Sequence, residues 1–327
     1  MVECDRRRCR DKNAGRQVRT GIDTPGKTTL GSQTISIDAT AYNYAVGAVT
    51  SPITLNLGIV HTGDIVNQAI TVGNSAPAGA FSEALDAQFG TPTGAATTNG
   101  GQINLLAAGG SNNSAMVVGI NTLTAGTVSG SVNVNLQSDG QGSSGLGKTT
   151  LSPITINVSA QVNNFASALV LLGAHSAGVN LTENSATVYT LDLGTTSLNG
   201  GNLAAALGIE NSATGPADTL AGNFNTSNAS AFGLSGFSNF NNIGAGGANN
   251  LPNITLSDSA SGTFTGVITL NPFSQNGSGY NGALNPITID VNGTVTATPE
   301  PTSLGLLAIA GLGMLGLKRR RNSGRAA

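Results

Sequence analysis

Two nine-residue stretches, VSGSVNVNL at Val128–Leu136 and ITINVSAQV at Ile154–Val162, alternate apolar residues with small polar ones. Successive side chains of a β-strand point to opposite faces, so a sheet with one buried face requires this period of two. Similar short runs, separated by Gly, Asn and Ser, recur along the chain. Val, Ile and Thr supply many of their residues, and these residue types favour strands. The pattern predicts an all-β fold with many turns.

The chain also repeats itself, with four blocks recurring in the same order at offsets of 133 to 137 residues. The matched blocks are Thr54–Gly58 with Thr190–Gly194, Asn74–Ala76 with Asn211–Ala213, Gly130–Val134 with Gly266–Leu270, and Pro153–Val158 with Pro286–Val291. Conserved order with small insertions indicates a tandem domain. About seven short strands in roughly 110 residues predict an immunoglobulin-like sandwich for each copy.

Each copy has the order L-x-L-G, a strand leading to Asn-Ser, and a closing Pro-Ile-Thr-Ile strand. This order resembles the bacterial choice-of-anchor D modules, which are similar to the Hydin-type immunoglobulin-like family. The resemblance covers residues 50–162 and 188–297, and it implies one β-sandwich in each. Residues 163–187 are then a linker or a first strand.

A fifth block indicates a further copy, since Gly26–Leu30 recurs unchanged as Gly147–Leu151. Residues 26–46 are therefore predicted to be the closing strand of a truncated preceding repeat. Residues 1–25 are Arg-rich, lack the apolar core of a signal peptide, and are predicted to be non-native or disordered. We expect that a signal peptide and a whole repeat lie upstream of this sequence.

The last segment, residues 298–327, has the pattern of a C-terminal tail that lodges in a membrane. It begins with Pro299, Glu300 and Pro301, continues with an apolar run, and ends in a basic stop. The apolar positions are Leu304, Leu306, Leu307, Ile309, Leu312, Met314, Leu315 and Leu317, and the basic stop is Lys318, Arg319, Arg320 and Arg321. The run is shorter than the ~20 residues of a comfortable span, so we expect a short hydrophobic helix that anchors weakly. Cations stay on the cytoplasmic side of the membrane during export.

This tail resembles the PEP-CTERM sorting signal of Gram-negative bacteria that produce exopolysaccharide. The resemblance implies recognition by an exosortase-like membrane enzyme, removal of the tail near Pro-Glu-Pro, and delivery to the cell surface or the extracellular space. The protein would be anchored in the inner membrane in transit. Exopolysaccharide is a further candidate partner.

Charge and composition argue against several classes of function. Between Thr28 and Glu300 the chain has one lysine and 12 acidic residues, a net charge of −11. Such a body cannot bind nucleic acid by neutralising phosphates. Cys4 and Cys9 are the only cysteines, so the body has neither a disulfide framework nor a cysteine metal site. His61 and His175 are isolated in turn-like sequence and are predicted to be surface or loop histidines and not ligands or bases.

Two strings, residues 21–28 and 142–149, fit the phosphate-loop pattern G-x-x-x-x-G-K-S/T. A phosphate loop needs a helix directly after it, and both strings are followed by strand-like sequence. We therefore predict no nucleotide partner and no cofactor. A weak calcium-like turn at Asp139–Gly142 is better interpreted as a hairpin loop, so no metal site is predicted.

The remaining carboxylates are scattered, and Glu83 and Asp86 are expected to be solvated. No nucleophile is spaced with a base and an acid, so we predict a chain that is not an enzyme. The leading hypothesis is an exported structural or adhesion protein of the cell surface or extracellular matrix. One alternative is an accessory part of a secreted polysaccharide-active hydrolase with its catalytic domain upstream. Another is a carbohydrate-binding module, although the chain has no Trp and only four Tyr for stacking on sugar rings.

Overall fold

A computed structural model describes residues 31–297, and within that range every regular element is a β-strand. The described residues form two compact units. The first comprises residues 31–57, 65–121 and 128–160, and the second comprises residues 58–64, 122–127 and 161–297. Three of the strands have residues in both.

Thirteen strands precede residue 164. They are β1 Gly47–Val49, β2 Thr54–His61, β3 Val66–Ala69, β4 Val72–Asn74, β5 Ala84–Phe89, β6 Thr93–Gly94, β7 Ala96–Thr98, β8 Gln102–Leu106, β9 Ser111–Asn112, β10 Val117–Ile120, β11 Gly126–Asp139, β12 Thr149–Thr150 and β13 Ile154–Asn163.

Twelve strands follow. They are β14 Ala168–His175, β15 Asn180–Ser185, β16 Val188–Ser197, β17 Leu203–Asn211, β18 Thr219–Asn228, β19 Gly233–Ser235, β20 Phe240–Ile243, β21 Ala248–Asn249, β22 Asn253–Leu256, β23 Gly262–Gln275, β24 Asn281–Ala283 and β25 Ile287–Thr296.

The strand order of the second unit is that of an immunoglobulin-like sandwich. Its main strands, in chain order, are β14, β17, β18, β19, β22, β23 and β25. One sheet runs β14-β17-β22-β19, which is the order first, second, fifth, fourth, and the other contains β18-β23-β25, the third, sixth and seventh. These are the two sheets of the constant-type immunoglobulin fold. Strand β16 extends the second sheet by pairing parallel to β25.

The first unit has the same order with its second strand divided. Strands β3 and β4 together take the place of β17, and the break falls at Ile70 and Thr71. There the Ile70 N–H donates to the Met116 carbonyl at 3.0 Å, and the Thr71 N–H donates to the Ser51 hydroxyl at 3.1 Å. The larger sheet runs β2-β13-β11-β5-β8. The predicted all-β, immunoglobulin-like fold class is confirmed for residues 31–297.

The inward faces of the two sheets form the core of the second unit. Leu207 and Ile209 on β17 pack in one buried cluster with Leu191 on β16, Leu270 on β23 and Ile289 on β25. All five side chains are at most 1% exposed. Burial of a leucine-sized side chain contributes about 1.5–3 kcal/mol, so these alternating positions hold the sheets together.

Several predicted segments differ from the structure or lie outside it. The predicted C-terminal hydrophobic helix lies outside the described residues. Residues 163–187 contain β14 and β15, and Val170 and Val179 belong to the core of the second unit. In residues 31–42 no strand forms, and Ile35 and Ile37 are 80% and 85% exposed. The described part of the closing strand predicted at 26–46 therefore lacks strand structure apart from an isolated bridge between Asn43 and Ser82. The remaining segment boundaries stay predictions.

Leu207→Ala tests the core. The substitution should lower the stability of the second unit by about 2–5 kcal/mol, because it leaves a cavity among residues that cannot collapse fully. Leu171→Ala on the neighbouring strand β14 is the control, since Leu171 is 38% exposed. Urea unfolding followed by circular dichroism measures both variants, and an equal loss from the two would contradict this core assignment.

Candidate functional site

The sorting segment follows directly on the folded body. Strand β25 ends at Thr296. It is the last strand of the second unit along the chain, and it pairs with β16 and β23. Pro299, Glu300 and Pro301, the apolar run and the basic stop all lie outside the described residues, so their roles stay predictions. The described residues carry a different set of polar sites.

A buried carboxylate occupies the same place in the fold of each unit. In the first unit, Glu83 accepts hydrogen bonds of 2.6 Å from the hydroxyls of Ser138 and Ser144. Ser138 in turn accepts the N–H of Ala45 at 2.7 Å. Glu83 is 1% exposed, so the prediction that it is solvated was wrong. The carboxylate ties β5 to β11 and to the chain ahead of β1.

The second unit repeats this arrangement around Asp218. Ser274 donates to Asp218 at 2.9 Å and accepts the N–H of Ala166 at 3.0 Å. The repeated Asn-Ser-Ala block supports both carboxylates from the backbone side. Asn74 donates to the Glu83 carbonyl at 3.1 Å, and Asn211 donates to the Asp218 carbonyl at 2.9 Å. The repeat marked these asparagines, but nothing in the sequence linked them to the carboxylates.

Asp218 has additional partners that Glu83 lacks. His61 lies 2.8 Å from its carboxylate through Nε2, Asn163 donates to it at 3.0 Å, and Asn276 donates at 3.1 Å. The side chains of Asp218 and His61 are 0% and 7% exposed. His61 is therefore a buried hydrogen-bonding group, and its prediction as a surface residue was wrong. His175 is exposed at the end of β14, as predicted.

Two aromatic rings cover the His61 imidazole. The Phe165 ring stacks on it with centroids 4.0 Å apart, and the Tyr280 ring lies tilted at 4.4 Å. The imidazole and the Asp218 carboxylate are both buried, and a hydrogen bond is stronger in such a low-dielectric environment. We call Asp218, His61, Asn163, Ser274 and Asn276 the Asp218 cluster.

The protonation of Asp218 follows from two opposing effects. Burial raises the pKa of its carboxyl, but hydrogen bonds from Asn163, His61, Asn276 and Ser274 outweigh burial and hold the pKa below its ordinary value. Asp218 is therefore an ionised acceptor at neutral pH. Ser274 bonds the carboxylate and not the imidazole, whereas a nucleophilic serine needs a base on its own hydroxyl. This geometry links strands and activates no nucleophile.

A second charged group lies in the first unit, around Lys148. Its Nζ lies 2.5 Å from an Asp86 carboxylate oxygen and 3.3 Å from one of Asp139. The bond to Asp86 is the main reason that the pKa of Lys148 is raised. The N–H of Gln141 is the main reason that the pKa of Asp139 is lowered. Asp86 is 6% exposed, so the prediction that it is solvated was wrong.

The structure also bears on the phosphate-loop strings. Strand β12 begins at Thr149, the last residue of the string 142–149, and β13 comes next. Strands therefore stand where a phosphate loop requires a helix, as predicted. The string at 21–28 lies outside the described residues. Asp139 accepts the Gln141 N–H at 2.8 Å, which makes Asp139–Gly142 a tight turn of the kind predicted. Among residues 31–297, no three His, Cys, Asp or Glu side chains gather as they would around a metal.

Comparison with known protein families identifies the tail. Residues 297–322 match the PEP-CTERM protein-sorting motif. The match starts one residue after β25 ends. A PEP-CTERM motif implies recognition by exosortase, a membrane enzyme, and export through the membrane to the cell surface or the extracellular space. The predicted sorting and localisation of this chain are thereby confirmed. In residues 31–297 we find no helix long and apolar enough to cross a bilayer.

Solved structures with some similarity include three β-domain proteins. The adhesive subunit CfaE of the CFA/I fimbria of enterotoxigenic Escherichia coli is 11% identical, over 79% of this chain and 85% of that one, with a TM-score of 0.30. The fibronectin(III)-like modules of Clostridium thermocellum CbhA are 10% identical over 77% and 95%, with a TM-score of 0.23. A PapD-like domain of human CEP192 is 9% identical over 42% and 98%, with a TM-score of 0.26.

Likenesses at these TM-scores support no inference about this chain, so its fold class follows from its own strand pairing. A comparison with curated protein sequences gave no significant match. The choice-of-anchor D resemblance stays a prediction.

Asp218→Asn tests the Asp218 cluster. The variant should lose at least ~2 kcal/mol of stability at pH 7, because a buried charged acceptor with four donors is replaced. Since the folded-state pKa of Asp218 is below its ordinary value of 3.8, the carboxylate stabilises the fold above pH 3.8. That contribution is lost as the pH falls through the folded-state pKa. The variant should therefore be less sensitive than wild type to acid below pH 4.

Glu183→Gln on β15 is the matched control, because Glu183 is an exposed carboxylate in the same unit. Urea unfolding at several pH values compares the three proteins. A variant with wild-type stability and wild-type acid sensitivity would mean that Asp218 does not hold the strands together.

Proposed function

We propose that this chain is a non-catalytic structural or adhesion protein of the bacterial cell surface or extracellular matrix. The single observation that carries the proposal is the junction at residues 296 and 297, where the closing strand of an immunoglobulin-like unit meets the PEP-CTERM motif. Cleavage near Pro299–Pro301 would leave all twenty-five described strands in the product. An exosortase-like enzyme would thus deliver an intact pair of β-sandwich units.

The chemistry of the described residues supports a passive role for the body. Two of its buried carboxylates, Glu83 and Asp218, accept hydrogen bonds that hold strands together. The sandwiches bury alternating apolar residues and place Asn, Ser and Thr side chains on their outward faces. Modules of this kind are suited to spacing and to contact with a matrix. We propose that both units are of the choice-of-anchor D type, and that the matrix contains exopolysaccharide.

The sorting step can be tested by intact-mass measurement. Protein from the native host should end near Pro299–Pro301, because the enzyme reads this part of the motif. Glu300→Gln should slow the conversion of precursor to product, and Ser303→Ala, just outside Pro-Glu-Pro, should leave it unchanged. Mature protein that still carries Arg325 and Ala327 would contradict processing.

The basic stop can be tested separately. Replacing Arg319, Arg320 and Arg321 together with Gln should reduce the share of precursor that fractionates with the membrane, because neutral residues no longer resist translocation. Blotting of membrane and soluble fractions after a pulse of synthesis measures this share. Unchanged retention of the variant would show that the arginines do not hold the tail in the bilayer.

A further inference from the structure

The larger sheet of the first unit has one inward and one outward face. Leu85, Ile103, Val134 and Leu136 point inward, and each is at most 6% exposed. Because side chains alternate along a strand, their neighbours point outward. The outward positions on β5, β8 and β11 are Asp86, Gln88, Gln102, Asn104, Ser131, Asn133, Asn135 and Gln137. We call this the amide face.

Carboxamides on the amide face line up across strands. Asn135 on β11 is in register with Gln88 on β5, and Gln88 is in register with Gln102 on β8. Gln137 is in register with Asp86 in the next row. Within residues 31–297, the carboxamides of five residues take part in no side-chain hydrogen bond: Gln88, Gln102, Asn104, Asn135 and Gln137. Each group keeps a donor and an acceptor for another molecule.

Two clefts open on this face. One of about 180 Å³ is lined by Asp86, Gln88, Gln102, Asn104, Asn135, Gln137 and Lys148. Another of about 360 Å³ is lined by the polar residues Thr54, Thr93, Ser129, Ser131, Asn157 and Ser159 together with Gly94, Gly130 and Val158. Asn133 lies between them on β11. From Ser131 to Gln137 the strand spans about 20 Å, so the two clefts form a polar track for an extended ligand.

The second unit shows that the fold does not require this face. In the second unit, the positions that correspond to Asp86 and Gln137 are occupied by Ala221 and Phe273, which are in register with each other. At the places of Gln88 and Asn135 it has Asn223 and Asn271, which hydrogen-bond each other at 3.1 Å. The same sheet therefore forms with apolar or mutually satisfied side chains. The fold therefore does not require the free carboxamides of the first unit.

The chemistry of the amide face selects the ligand. Carboxamides pair with groups that both donate and accept, as sugar hydroxyls do. Lys148 is neutralised by Asp86 and Asp139, and this group as a whole has a charge of −1. Anionic polymers would also be repelled by a body with a net charge of −11. We propose that the amide face binds a neutral, hydroxyl-rich polysaccharide chain. This rests on the proposed surface function and names its partner.

The proposal is tested by affinity electrophoresis of the full chain. The gels contain dextran, galactomannan or xyloglucan as neutral polymers, or alginate as an anionic one. Wild type should be retarded by at least one neutral polymer and not by alginate. Gln88→Ala and Gln137→Ala should each weaken binding about five- to tenfold, the usual effect of losing one or two hydrogen bonds. Gln68→Ala is the control, since Gln68 is an exposed glutamine on β3 of the other sheet.

Circular dichroism and urea midpoints check that each variant is folded. Gln88 and Gln68 are both exposed, so neither substitution should disturb the core. Retardation by none of the three neutral polymers would overturn the proposal, as would binding by alginate alone. Equal binding by wild type and the Gln88→Ala variant would also overturn it. Binding in gels does not depend on export, so correct processing without binding would reject only this ligand and leave the proposed surface function standing.

Discussion

Everything in the described fold depends on burying one face of each sheet against its partner sheet. Period-two alternation places Leu207 and Ile209 on the inward side of one sheet of the second unit and Leu270 and Ile289 on that of the other. With charged residues at only 9% of the chain, ion pairs can contribute little to holding the layers together.

Within that framework, buried carboxylates determine how the ends of the strands meet. Glu83 and Asp218 occupy the same place in the two units, and each takes a hydrogen bond from a serine that also accepts a backbone N–H. A buried carboxylate without donors would be costly, so the donors and acceptors must be retained together. The Asp218 cluster extends this arrangement with a histidine covered by two rings.

Function divides between the tail and the outward surface. The PEP-CTERM motif specifies where the protein goes, and it begins where β25 has completed the second sandwich. Sorting can therefore proceed without disturbing the strands. The outward faces are free of that constraint, because the inward residues already stabilise the sheets. The first unit has Asp86 and the unpaired carboxamide of Gln137 where the second has Ala221 and Phe273, so two units of one fold can differ in what they contact.

The order of residues was enough to predict the all-β class, the tandem repeat and the sorting tail, because alternation, repetition and a Pro-Glu-Pro motif can be read along the chain without knowing its contacts. The burial of His61 and Glu83 was not predictable in this way. His61 lies 157 residues from Asp218, and Glu83 lies 55 residues from Ser138, so only folding brings each pair together. The amide face has the same origin. Its row of Gln102, Gln88 and Asn135 exists only once strand register aligns three separate segments, since register is a tertiary property.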